Sequence, residues 1–178
     1  PREVVIKTVR FRKPDRLALA LPEKWGNDFG GVGMEPSTDA RPKSGTDEWG
    51  TVWSNIGVSN LGQVKDPVLK DWADFSRMKV PDIKDPARWK ALDGARERAG
   101  DLFLMAYGVS LYERVHFLRG LENTWTDIYV QPRELGRLID LLVDMNLYAI
   151  ERFAKAGADG YMFCDDWGLQ ERLMISPD

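Results

Sequence analysis

The chain has 178 residues, 43% of them hydrophobic and 30% charged, with a net charge of -3 and a sequence pI near 5.3. That balance suits a single globular domain with a respectable core, and it offers no basic surface for a phosphate backbone, which argues against nucleic acid as a partner. No apolar run approaches the roughly 20 residues of a membrane helix, the basic N-terminus lacks a signal peptide's apolar stretch, and Cys164 as the sole cysteine rules out an internal disulfide and fits a reducing cytoplasm.

Val5, Ile6 and Val9 at helical spacing predict a short helix over residues 2–12, ended at Lys13-Pro14-Asp15 because proline cannot continue the hydrogen-bond ladder. Residues 17–21, Leu-Ala-Leu-Ala-Leu, predict a buried strand stopped at Pro22. From residue 25 to 45, Gly, Pro, Ser and Asp accumulate and predict a long irregular excursion, of a length uncommon unless functional or disordered. Gly30-Gly31-Val32-Gly33 inside it reads as a flexible loop, since it follows no clean strand and precedes no helix. Residues 47–53 predict a strand or extended arm, continued after a turn by residues 61–64.

Asp66-Pro67 and Asp85-Pro86 each pair an N-cap with proline at the first helical position, predicting helices over 66–75 and 85–99. Residues 101–107 predict a compact apolar strand, 110–118 a helix ending near Gly120, and 125–129 a further short helix. The clearest element is a helix over 132–156. There Leu135, Leu138, Ile139, Leu142, Asn146, Ala149, Ile150 and Phe153 recur every three or four residues, and Gly157 supplies the left-handed stop. Residues 158–164 predict another strand, apolar as strands covered on both faces are. Strand, helix, strand implies parallel βα units. Ser176-Pro177-Asp178 is written as a helix start, so the chain is expected to be truncated.

Polar residues just past the C-terminal end of a parallel strand are where active sites are built. Asp165 and Asp166 occupy that position, and adjacent carboxylates point to different sides. Both could instead satisfy backbone N–H groups in a turn ending at Gly168. Asp47-Glu48-Trp49-Gly50 offers a carboxylate among aromatics, or a surface turn whose Trp49 and Trp53 pack on the core. His116, the only histidine, sits among apolar helical neighbours where a packed residue is commoner than a catalyst. Cys164 could be a nucleophile or a ligand, though a buried cysteine usually behaves as a small hydrophobe. Arg114 and Arg119 are expected to pair with Glu113 and Glu122. Neither nucleotide-binding glycine motifs nor HExxH or GxSxG are present.

In order and spacing these segments resemble the uroporphyrinogen decarboxylase superfamily, which includes corrinoid-dependent methyltransferases. The resemblance rests on Lys13-Pro14-Asp15-Arg16, Asp47-Glu48-Trp49-Gly50, Glu113 with Leu118-Arg119-Gly120-Leu121-Glu122-Asn123, Gly157-Ala158-Asp159-Gly160, Asp165-Asp166-Trp167-Gly168-Leu169-Gln170 and Met174-Ile175-Ser176-Pro177. It implies a (β/α)8 TIM barrel of which residues 1–178 form the N-terminal portion of a single domain, the whole being roughly twice this length. It implies Asp47 and Asp166 as catalytic residues, and Asp165, Trp167, His116 and Trp49 as substrate-binding residues.

Leu21-Pro22-Glu23-Lys24-Trp25 lacks the arginines with which true decarboxylases grip substrate carboxylates, and an acid, Asp166, stands where they carry a small polar serine. The resemblance therefore favours a methyltransferase-like enzyme acting on a small molecule with a corrinoid protein, in the cytoplasm, with a homodimer allowed. The alternatives are a decarboxylase of porphyrin biosynthesis, which needs no cofactor, and a non-catalytic half-barrel. The family's zinc ligands, a His-x-Cys pair and a later Cys, would lie beyond Asp178. These residues alone are expected to bind no metal, and His116 and Cys164 do not match that motif.

Overall fold

The computed structural model describes residues 1–55, 57 and 62–176, with the backbone alone for Glu23. In chain order the elements are α1 (Arg2–Val9), β1 (Phe29–Val32), β2 (Gly45–Thr46), β3 (Val52–Asn55), β4 (Gly62–Asp66), α2 (Ala95–Ala99), β5 (Phe103–Tyr107), α3 (Tyr112–Arg119), α4 (Leu121–Val130), α5 (Pro132–Lys155) and β6 (Gly160–Met162). Short 3-10 helices lie at Glu23–Trp25, Trp72–Arg77 and Pro86–Leu92. The chain divides into two compact units. The first comprises Pro1–Glu35, Lys84–Gly108 and Tyr148–Met162, and the second Pro36–Ile83, Val109–Leu147 and Phe163–Asp178.

The first unit is built on a parallel sheet of order β1-β5-β6, with Phe29 opposite Phe103 and Met105 opposite Gly160. Strand β1 lies inside the stretch whose composition predicts a loop. Its glycines are what hide it, and Gly31 has a packing reason, because a Cβ there would stand 3.2 Å from the Tyr107 ring. Gly160 meets the same constraint more sharply, since a Cβ would come within 2.9 Å of the Phe103 ring. Asp159 ties the sheet to its surroundings by accepting from Arg2 at 2.8 Å, Arg96 at 2.7 Å and the Leu104 N–H at 2.9 Å.

Residues 17–21 form no strand. Leu17 and Leu21 are exposed, and Asp28 takes the Leu19 N–H at 2.8 Å and both guanidinium nitrogens of Arg16 at 2.6 Å. A side chain thus claims backbone that alternation alone assigns to a ladder. The predicted helix over 85–99 is two pieces. Asp85 caps the first by accepting from the Ala87 N–H at 2.9 Å, and Gly94, at φ 66, breaks the run.

The second unit holds an antiparallel sheet of order β2-β3-β4, with Asn55 opposite Gly62 and a register shift between Val52 and Trp53. Leu61 of the predicted strand over 61–64 lies outside the described residues, as do Pro177 and Asp178 of the predicted helix start. Asp66 ends β4 instead of opening a helix. The capping role falls to Asp71, which accepts from the Ala73 N–H at 2.8 Å. Helix α3 is buried along most of its length, and Leu135, Leu138, Leu142 and Met145 of α5 are buried in keeping with the helical periodicity. Asn146 sits on the same stripe because its amide donates to the carbonyls of Val109 and Leu142, both at 3.0 Å.

These sheets correct the expectation of a (β/α)8 TIM barrel. Such a barrel closes one sheet of eight parallel strands. Among the described residues there are six strands split between two sheets of three, one of them wholly antiparallel, and that arrangement is not a barrel even in part. The sequence pattern detects β5 and β6 and their parallel relation. The antiparallel pairing of β2, β3 and β4 depends on turns that the same pattern does not encode. Among the described residues no helix is long and apolar enough to cross a membrane.

The Arg16–Asp28 pair sets an acid limit on the first unit. Hydrogen bonds from Arg16 hold the Asp28 carboxyl down at about 2, against the opposing effect of burial. A carboxyl lowered on folding stabilises above its unfolded value and loses that contribution as pH falls through the folded one. Stability is therefore expected to drop between about pH 4 and pH 2, with Asp28→Asn less stable at neutral pH and flatter across that window. Urea unfolding at a series of pH values measures it, and an unchanged acid limb in the variant removes the pair as its cause.

Candidate functional site

Helix α3 begins without a side-chain cap of its own, so its first N–H groups need acceptors from elsewhere. Asp165 supplies them. Its carboxylate accepts from the N–H of Leu111 at 3.0 Å, Tyr112 at 3.1 Å and Glu113 at 2.8 Å. An anion against a helix N-terminus is also favoured by the helix dipole. The following residues are laid onto α3 in consequence. Asp166 is exposed and accepts from the Gly168 N–H at 3.0 Å, closing the turn. The Trp167 ring stands 5.1 Å from that of Tyr112. The Tyr112 hydroxyl accepts from Trp125 Nε1 at 2.8 Å and donates to the Met174 sulfur at 3.6 Å.

Arg114 leaves α3 into the interior and is completely buried. It donates to Asp39 and Asp47, at 3.0 Å each. Asp47 also accepts from the N–H groups of Trp49 at 3.0 Å and Thr51 at 2.9 Å and from Trp53 Nε1 at 3.0 Å. Trp49 is fully buried and donates through Nε1 to the Thr38 carbonyl at 2.7 Å. Asp47 and Trp49 therefore hold the folded loop together around a buried cation. Arg41, partly exposed, bridges Asp39 at 3.1 Å and Glu113 at 2.9 Å. Ser110 donates to Asp39 at 3.0 Å. Arg119 pairs with Asp127 at 2.7 Å, not with Glu122.

His116 lies on α3, half-buried, with its ring 5.3 Å from Tyr112 and 4.5 Å from Phe117. Burial chiefly, helped by the charges of Arg41 and Arg114 and opposed by Asp165 and Asp166, pushes its pKa down to about 4. The imidazole is neutral at physiological pH and presents one donor and one acceptor. Cys164 is exposed and free.

The structure thus gathers His116, Asp165, Asp166 and Trp167 about the start of α3, and it sets Asp47 and Trp49 around Arg114. Sequence reasoning passed over Asp39, Arg41 and Ser110. Asp39 and Arg41 lie in the stretch read as an irregular excursion, and their partners on α3 are 72 to 75 positions away in the chain. Alternating acid and base at Asp39 and Arg41 was the only local signal. Comparison of the chain with protein-family models, curated proteins and solved structures finds no match.

Two outcomes follow for this site. Removing one partner of a buried ion pair strands the other charge, so Asp47→Ala is expected to cost about 3–5 kcal/mol. Asp165→Ala, which removes a cap, should cost about 1–2 kcal/mol. Denaturant titration measures both, and an Asp47→Ala variant as stable as the parent would show that Arg114 does not need it. Because His116 is the only histidine, its proton NMR signal can be followed without ambiguity. A midpoint near 4 is expected, with stability falling as pH drops from 6.5 towards 4 because the unfolded chain binds that proton first. A midpoint at the ordinary value of 6.5 would place the ring in water.

Proposed function

We propose that this protein is a methyltransferase-like enzyme of the uroporphyrinogen decarboxylase superfamily, passing a methyl group to or from a corrinoid protein. The observation that carries the proposal is that two motif segments, far apart in sequence, meet on the helix that carries a third, α3. Asp47 of Asp47-Glu48-Trp49-Gly50 binds Arg114 of α3, Asp165 of Asp165-Asp166-Trp167-Gly168 caps the same helix, and Glu113 lies on that helix itself. Chance matches have no reason to share a site, whereas the motifs of one enzyme do.

Charge favours methyl transfer over decarboxylation of a polycarboxylate. Arg41 faces Asp39 and Glu113, and Arg114 faces Asp39 and Asp47. Three acids against two bases leave this group at -1. A polyanion needs cations with unspent hydrogen bonds, and neutral His116 adds none. A methyl group in transfer asks mainly for positioning. His116 then offers its donor and acceptor to the substrate, Asp166 meets a polar group from the exposed turn, and Asp47 and Asp165 keep α3 in place.

Among the described residues no group of three or more His, Cys, Asp or Glu could hold an ion. The roles assigned above are accordingly those of binding and positioning.

The protein is expected to draw the methyl group from methylcobalamin in the presence of a thiol acceptor and to leave uroporphyrinogen unchanged. Asp166→Ala should slow the transfer by about 10²-fold or more, while shifting the unfolding free energy by less than about 0.5 kcal/mol, as exposed substitutions do. Release of carbon dioxide from uroporphyrinogen without methyl transfer would overturn the proposal.

A further inference from the structure

We infer that the second unit binds a small, uncharged, apolar molecule in a cavity of about 330 Å³ lined by α3, α4, α5 and the segment carrying Trp167 and Ile175. Tyr112 and Trp167 form its aromatic side, and Val115, Ile139 and Ile175 contribute aliphatic surface. The volume lies at the lower end of the range of small-molecule sites.

The lining decides the class of ligand. No charged side chain contributes to it, and its only hydroxyls are those of Tyr112 and Thr124. Both are already engaged. Tyr112 accepts from Trp125 at 2.8 Å and donates to Met174 at 3.6 Å, and Thr124 donates to the Gly120 carbonyl at 2.8 Å. A charged or strongly hydrogen-bonding ligand would give up its hydration here and find no partner, a cost of several kcal/mol for an ion. An apolar ligand gives up nothing comparable and gains stacking on two rings.

The cavity also has a built wall. Asp165 fixes the start of the covering segment to α3. The Met174 N–H donates to the Trp167 carbonyl at 2.9 Å, and the Leu169 N–H donates to that of Arg172 at 2.7 Å. Trp167 is 49% exposed, so one edge of the aromatic side faces solvent and marks where a ligand enters.

As a binding site the inference stands on the cavity alone, which neither His116 nor Asp166 lines, and it is independent of the methyl-transfer proposal. The test is calorimetric titration of the whole chain with indole and, separately, with indole-3-carboxylate, which keeps the ring and adds a charge. Indole should bind with a Kd on the order of 10⁻⁴ M, and the carboxylate about tenfold more weakly or worse. Ile139→Trp, at an exposed position, should fill the cavity and weaken indole binding by about tenfold or more. If that variant fails to fold, the comparison of the two ligands on the parent protein decides. Absence of indole binding, or equal binding of both ligands, overturns the site. Indole binding without methyl transfer supports the site and removes the proposed reaction, whereas methyl transfer without indole binding does the reverse.

Discussion

Helix α3 starts with three N–H groups for which its own sequence provides no acceptor, and the second unit is organised around meeting that need. The acceptor is Asp165, 52 to 54 positions further along the chain. Once its carboxylate is seated, the next residues have little freedom. Asp166 closes a turn onto Gly168, Trp167 is laid beside Tyr112, and Met174 returns to the Tyr112 hydroxyl. The apolar cavity and the environment of His116 both follow from that one seating. A cap supplied from so far away does more than end a helix, because it also fixes where a remote segment lies.

The same helix buries a full positive charge, and that charge shapes the rest of the site. Arg114 is shut away from water, so its cost must be met by carboxylates in good geometry. Asp39 and Asp47 meet it, and Asp47 is further occupied by two N–H groups and an indole. Acids that look like catalytic candidates on residue type alone are thus taken up in holding a loop. The chemistry left over is modest and mostly neutral: a half-buried imidazole, an exposed carboxylate at Asp166, and aromatic surface. Arg41 and Arg114 also help hold that imidazole uncharged, so the buried cation affects the site beyond its own ion pairs.

The same dependence on distant partners explains where sequence reading succeeds and fails in the sheets. The apolar runs behind β5 and β6 are visible because both flank helical segments of the right length, and Gly157, at φ 82, ends α5 as its position predicts. Strand β1 is invisible because its glycines resemble a loop, and at one of them, Gly31, a Cβ would stand 3.2 Å from the Tyr107 ring. The alternation at residues 17–21 suggests a strand, but Asp28 takes the backbone there. The closed barrel implied by family resemblance fails for a related reason. Motif residues report local chemistry, whereas closure requires every strand to be parallel and paired, and here three are antiparallel.

What the sequence by itself determined was whatever depends on near neighbours: the stripe of α5, the apolar strands β5 and β6, the cap at Asp85, the stop at Gly157, and the grouping of Asp165, Asp166 and Trp167 as one segment. Helical period, proline and glycine sterics and side-chain capping act within a few residues, so they are written where they operate. The tertiary structure alone decided which carboxylate serves which donor. Asp165 went to the start of α3, Asp47 and Asp39 to Arg114, and Asp28 to Arg16. Each of those pairings depends on contacts that exist only once the chain has folded, and folding takes Arg114, Asp47 and Asp28 out of water while Arg16 stays 45% exposed.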